Sequence, residues 1–173
     1  MKINCFIPFQ NIEQASATIA ELRKSSLVHK IFLLAQSFTD SGKIENCETI
    51  IIDNLTSSKT IQAIAQKSDT EYSLIYTKYT FLHLGQYALE RFYQIASSSK
   101  AGMVYADHYQ IANGICTNAP VIDYQIGSVR DDFNFGSVLF YNTEKLRKAV
   151  SETKTIYPFA GLYNLRLKVS QEA

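Results

Sequence analysis

Between residues 3 and 105 the chain alternates short, almost wholly apolar runs with stretches of helical periodicity, and that alternation leaves few folds open. Ile3 to Pro8 is such a run, closed by proline. Ile31-Phe-Leu-Leu34, Thr49-Ile-Ile-Ile52, Tyr72-Ser-Leu-Ile-Tyr76 and Gly102-Met-Val-Tyr105 are the others. Runs of this length and composition read as buried strands. Between them, Ile12 to Ser25, Thr56 to Ser68 and Leu84 to Ser98 read as helices. In the first, Ile12, Ala15, Ile19 and Leu22 share one face, with Glu13 near the start and Arg23 and Lys24 near the end, the signs the helix dipole favours. The second buries Ile61, Ile64 and Ala65. Strands that need cover on both sides, separated by amphipathic helices, predict an open α/β layer structure with a parallel sheet.

After Tyr109 the pattern changes. Ala112-Asn113-Gly114-Ile115 carries the Asn-Gly hairpin signal, so Ile111 and the stretch near Ile115 are expected to pair across a turn. Val121-Ile-Asp-Tyr124 leads into the polar segment Gly127-Ser-Val-Arg-Asp-Asp132. Gly136-Ser-Val-Leu-Phe-Tyr141 reads as a further strand, with Thr143 as N-cap of a helix from Glu144 to Val150. Gly161 to Val169 reads as a last helix with Leu162, Leu165 and Val169 on one face. A length of 173 residues suits one domain, 1–173. The stop at Ser170-Gln-Glu-Ala173, without a tail, suggests an N-terminal or truncated part of a longer protein.

Charge narrows the partners. Seventeen basic against sixteen acidic side chains give a net charge of +1, which supplies no basic patch and argues against nucleic acid. Cys5, Cys47 and Cys116 are an odd number without CxxC spacing. That argues against a disulfide framework and a zinc site, and for buried free thiols in a reducing compartment. No cleavable signal pattern is present, and no apolar run nears the ~18 residues that span a bilayer. The expected location is cytoplasmic, with peripheral attachment to a membrane left open; the oligomeric state is not legible.

In open α/β sheets, ligands sit outside the carboxyl ends of parallel strands. The Tyr72 strand ends at Thr77-Lys78-Tyr79-Thr80, with no acid, and the Gly102 strand at Ala106-Asp107-His108-Tyr109, with an acid and an imidazole. Adjacent strand residues face opposite sides, which separates Asp107 from His108. Lys78 offers a point charge for phosphate, although its plainer reading is a solvated loop lysine. Asp131 and Asp132, preceded by Arg130, form the densest charge cluster; paired loop acids are more often solvated or salt-bridged than catalytic. His29 and His83 read as surface residues. Tyr76, Tyr79, Tyr87, Tyr105, Tyr109 and Tyr124 fall around the strand ends, and their faces suit sugar rings or nucleobases. Tyr76 and Tyr105 read more simply as core.

Several stretches match one family in order. Pro8-Phe-Gln-Asn11 looks like a Pro-x-Tyr-Asn first-strand end, and Leu34-Ala-Gln-Ser-Phe-Thr-Asp40 falls where that family has Val-Asp-Asp-Gly-Ser-Thr-Asp. Tyr72 to Thr80 falls on its metal-binding strand, Val104-Tyr-Ala-Asp-His-Tyr109 on a Val-Tyr-x-Asp-Tyr-Tyr strand, and Leu162-Tyr-Asn-Leu-Arg-Leu167 on the helix that presents its catalytic base. Over nearly its whole length the chain resembles the inverting family 2 glycosyltransferases. The resemblance implies a Rossmann-like GT-A fold: an open, mostly parallel sheet with helices on both faces and a β-hairpin after the central strand. It implies transfer of a sugar from a nucleotide-diphosphosugar to a glycan or lipid-linked acceptor, in bacterial cell-surface polysaccharide synthesis. The nucleotide would lie against Pro8, Phe9, Gln10, Asn11, Gln36, Thr77, Lys78 and Tyr79. Asp107 would hold Mg or Mn, with metal-independent binding as the alternative, and Asp131 or Asp132 would serve the acceptor side as base.

Chemical positions depart from that pattern where scaffold positions keep it. Gln10 stands where an aromatic faces the base, and Ala35 or Gln36 where an acid reads the nucleoside. Thr77-Lys78-Tyr79 replaces the Asp-x-Asp pair, and Gly161 and Leu162 replace the acid pair before the last helix. A second expectation follows: a GT-A-like module that has kept the fold, lost the chemistry, and serves binding or assembly in a larger glycan-synthesis protein. A nucleotidyltransferase on the same fold would need a glycine-rich phosphate loop after the first strand, and Phe9-Gln-Asn-Ile12 contains no glycine.

Overall fold

The structure, a computed structural model, describes residues 2–37, 44–125 and 133–171. Along the chain run β1 (Ile3–Pro8), α1 (Ile12–Leu22), β2 (Val28–Ala35), β3 (Glu48–Ile51), α2 (Ser58–Lys67), β4 (Tyr72–Tyr76), α3 (Ala88–Ser99) and β5 (Met103–Val104). There follow β6 (His108–Ala112), β7 (Ile115–Ala119), β8 (Val138–Asn142), α4 (Thr143–Ser151) and α5 (Gly161–Ser170). Six strands form one sheet in the order β3-β2-β1-β4-β8-β5, and β6 pairs with β7 separately. The pairs β1–β2, β2–β3 and β1–β4 are parallel, whereas β8 is antiparallel to both β4 and β5.

Strand alternation distributes the core over two layers. Ile3, Cys5 and Ile7 of β1 join Leu74 and Tyr76 of β4 under α1 and α3. Phe6, Phe32, Leu34 and Ile75 face the other way, against Ile61 and Ile64 of α2, Leu146 of α4 and Leu162 and Leu165 of α5. Phe6 stacks on Phe32 at 4.7 Å between ring centroids, locking β1 to β2. Burying such a ring contributes about 1.5–3 kcal/mol, and a polar residue at Phe6 would forfeit it. The α/β architecture with helices on both faces is therefore present.

Three local features differ from the sequence expectation. Asn142, not Thr143, caps α4: its Oδ1 accepts from the Lys145 amide at 3.0 Å. Thr143 turns inward instead, its hydroxyl 2.9 Å from that of buried Ser73, because β8 runs into α4 with no loop between them. The helix expected from Leu84 starts at Ala88. Residues before it form a strap docked on α1, with the Leu82 amide donating to the Thr18 hydroxyl at 3.1 Å and His83 Nδ1 lying 3.4 Å from Glu21. Tyr87 then turns through φ 58° to enter α3. Finally, β5 is two residues long and lies at the sheet edge, not its centre; β8, late in the chain, fills the place beside β4. The hairpin forms as predicted, with Asn113 and Gly114 at φ 53° and 76° in its turn, as a tight hairpin requires. Among the described residues no helix is long and apolar enough to cross a membrane.

Candidate functional site

β1 and β2 end together, since Pro8 pairs with Leu34 and the Phe9 amide donates to the Leu34 carbonyl at 2.9 Å. The chain then leaves β1 through two residues only before Asn11, whose Oδ1 caps α1 by accepting from the Gln14 amide at 2.8 Å. β4 ends beside them. Its Thr77 is pinned to the β8 side, the amide and the hydroxyl both donating to the Ser137 carbonyl at 2.9 and 3.1 Å. These three ends enclose a cleft of about 410 Å³ lined by Phe9, Gln10, Ala35, Gln36, Ser37 and Tyr79.

Four of the eight residues expected at a nucleotide, Phe9, Gln10, Gln36 and Tyr79, thus meet in one cleft. Phe9 is nearly buried and forms its floor; Tyr79 is 40% exposed and walls it. Burial pushes the Tyr79 phenol up, so it remains a neutral donor at physiological pH. Gln36 donates to the Asp53 carbonyl at 3.4 Å, which sets one edge, while the side-chain amide of Gln10 has no partner among the described residues. The other four stand differently. Pro8 is buried in β1, Asn11 is engaged as a helix cap, Thr77 is tied to Ser137, and Lys78 is exposed immediately beside Tyr79. Ser37 lines the cleft without having been singled out; its position after Gln36, in the loop leaving β2, was the available signal.

The described residues that line the cleft are uncharged. Asp53, at the far side of Gln36, has its Oδ1 engaged by the Ser57 hydroxyl and the Asn54 amide, both at 2.6 Å. Those bonds, Ser57 first, hold its carboxyl below the ordinary Asp value, as the organiser of the turn that Ser57 closes by capping α2. Among the described residues no group of three His, Cys, Asp or Glu is placed to hold a metal ion.

Asp107 lies elsewhere. It follows the edge strand β5, and its Oδ1 accepts from the Val121 amide at 2.7 Å, closing the mouth of the hairpin. The expectation of a central-strand acid fails because β8 takes the central place. His108 does not pair with it; its Nδ1 is buried with no bond, close to Gly136. Aromatic side chains fill the space around this end. Tyr105 meets Phe135 edge-on at 5.3 Å, Phe133 lies 4.6 Å from Phe135, and Tyr124 packs on both. Of the tyrosines expected around the two strand ends, Tyr79 thus stands at the β4 end, and Tyr105 and Tyr124 at the β5 end. Asp131 and Asp132, the expected bases, lie outside the described residues.

The chain is similar over 100% of its length to the bifunctional IspDF from Campylobacter jejuni, with 12% identity and a TM-score of 0.60, and spans 48% of that protein. It is similar over 99% of its length to 2-C-methyl-D-erythritol 4-phosphate cytidylyltransferase from Thermus thermophilus, with 11% identity, a TM-score of 0.56 and 85% of that chain covered. CMP:2-keto-3-deoxy-manno-octonic acid synthetase complexed with CTP gives 99% coverage, 8% identity, a TM-score of 0.58 and 86% of its own chain. The fold is shared. Identities this low speak for architecture and leave function to the site. The expected Rossmann-like architecture, a mostly parallel sheet with helices and a β-hairpin, is thus present, and nothing ties the chain to family 2 glycosyltransferases in particular. No protein-family model and no curated protein matches the chain.

Proposed function

We propose that this chain is a nucleotide-binding domain whose cleft at the ends of β1, β2 and β4 seats the nucleoside part of a nucleotide-diphosphosugar. The observation that carries this reading is the convergence of Phe9, Gln10, Gln36 and Tyr79 on one uncharged cleft. Aromatic faces suit a base or ribose, and amides read a base edge with both donors and acceptors. Transfer would break the bond between the anomeric carbon and the diphosphate as an acceptor hydroxyl attacks, with a carboxylate taking its proton. Asp131 and Asp132 are the proposed bases, and a glycan or lipid-linked hydroxyl in the cytoplasm the proposed acceptor.

Two other readings each rest on one observation. The uncharged lining supports a binding or assembly module without catalysis. The neighbours named as a cytidylyltransferase and as a synthetase complexed with CTP support nucleotidyl transfer. Against the latter stands the exit from β1, which has no glycine and only Phe9 and Gln10 before the Asn11 cap, so no loop is available to wrap a triphosphate there.

Calorimetric titration of the folded chain with UDP-, GDP- and CDP-sugars, with and without Mn²⁺, tests the proposal. Saturable heat with one base is expected, and no heat with any donor sinks it. Release of nucleoside diphosphate on adding acceptors separates the enzyme from the module, and pyrophosphate release from CTP with a sugar phosphate would support nucleotidyl transfer.

A further inference from the structure

Resting on the nucleotide reading above, we infer that Lys78 neutralises the ligand's diphosphate directly, with no divalent cation between protein and phosphate. The backbone that carries Lys78 is fixed on both sides. Thr77 before it is doubly bonded to the Ser137 carbonyl, and Tyr79 after it is a wall of the cleft. Beyond Tyr79, the Thr80 hydroxyl lies 2.8 Å from that of Tyr76, and the strap continues to its anchor on Thr18. Lys78 is therefore carried by an ordered segment immediately before the cleft's Tyr79 wall; it is exposed, and its ammonium has no hydrogen-bond or ion-pair partner among the described residues.

Among the described residues no carboxylate lines the cleft. Asp53 has one oxygen engaged by both Ser57 and Asn54, and Asp107 has one engaged by the Val121 amide on the far side of β8. Hard divalent cations need oxygen ligands, and protein sites for them are anchored by at least one or two carboxylates. The described residues do not fit such an ion. A single compact ammonium beside neutral amide and hydroxyl groups instead fits an anion that brings its own charge, the terminal phosphates of a nucleoside diphosphate or its sugar ester.

Calorimetry separates this inference from the reading beneath it. UDP, GDP and CDP and the matching nucleosides are titrated into the whole chain in EDTA and in Mn²⁺, and then into Lys78→Ala and Lys78→Arg. Lys78 is exposed, so the variants should fold, and a thermal melt within about two degrees of the parent verifies it, since surface changes away from packed contacts are nearly neutral. The expected result is diphosphate affinity that differs less than about twofold between EDTA and Mn²⁺. Lys78→Ala should weaken it about ten- to a hundredfold, the range for a charge-assisted bond, with nucleoside affinity unchanged and most of the loss restored by arginine. Diphosphate binding that appears only with Mn²⁺, or that Lys78→Ala leaves intact, overturns the inference and leaves the nucleotide reading standing. Absence of binding by every nucleotide and nucleoside overturns both.

Discussion

The ends of β4 and β5 lie in one sheet, run the same way and are separated by a single strand, but they meet different surroundings. At the β4 end, Thr77 is tied to Ser137 and the chain then leaves along α1, so that among the described residues a cleft remains at the neighbouring ends of β1 and β2. At the β5 end the chain reverses into a hairpin, and Tyr105, Tyr124, Phe133 and Phe135 fill the space. The titratable residues Asp107 and His108 sit at the filled end; the lone lysine sits at the open one. A strand end becomes a site only where the connections on either side leave room for a ligand, whatever its residues offer.

β8 creates the difference by standing between the two ends, so removing its packing should have the largest effect. Phe140 is buried between Tyr72 at 5.0 Å and Phe92 at 5.6 Å. Phe140→Ala should cost about 3–5 kcal/mol, measured by urea denaturation; a loss under about 1 kcal/mol would mean that β8 is not wedged as described. A smaller effect is expected at Gly136, which has φ 75° and a Cβ position 3.4 Å from the Ala106 carbonyl. Gly136→Ala should destabilise by about 1–2 kcal/mol in thermal melts, the cost of a left-handed backbone for an L-residue. Nucleotide affinity should be unchanged, and if it falls instead, the two ends are coupled through β8.

Asp107→Ala removes the bond to the Val121 amide and should cost about 1 kcal/mol, seen as faster hydrogen exchange at Val121 and along the hairpin. If it weakened nucleotide binding as much as Lys78→Ala, the contrast between the ends would collapse. The smallest effect belongs to the opposite ends of the strands, where Asp69, just before β4, accepts from Lys30 of β2 at 2.6 Å and Asn4 of β1 at 2.7 Å. These bonds, Lys30 first, hold its carboxyl below the ordinary Asp value. Its contribution is complete above the unfolded Asp value and disappears as pH falls through the lower folded one. Because the pair is exposed, the loss should stay below about 1 kcal/mol. Asp69→Asn should flatten the acid limb of the stability curve and leave the cleft unaffected; an altered nucleotide affinity would show that the two ends of these strands communicate.

Much of this was legible in the chain because local physics wrote it there. The strands of β1, β4 and the hairpin, and the helices α1, α2 and α4, follow from runs whose period and end residues agree. The Asn-Gly turn needs no distant partner to be recognised. Leu84 to Tyr87 misled because the residues just before them, Leu82 and His83, are tied to Thr18 and Glu21, more than sixty residues earlier, and Tyr87 enters α3 through φ 58°. At the site, Phe9, Gln10, Gln36 and Tyr79 were expected from the family resemblance, and Tyr79 also from the strand-end rule, whereas the engagement of Asn11 and Thr77 in caps and ties was not legible. A side chain's free capacity depends on neighbours that the order of residues does not name.

The sequence by itself determined a layered α/β domain, that β1 and β4 are buried on both sides, where the hairpin turns, and that Thr77-Lys78-Tyr79, without an acid, follows β4. Only the tertiary structure decided that β8 enters between β4 and β5, because antiparallel pairing over sixty residues of separation is a global packing choice with no local signature. That insertion moved Asp107 to the edge and left Lys78 the charged side chain beside the cleft's Tyr79 wall.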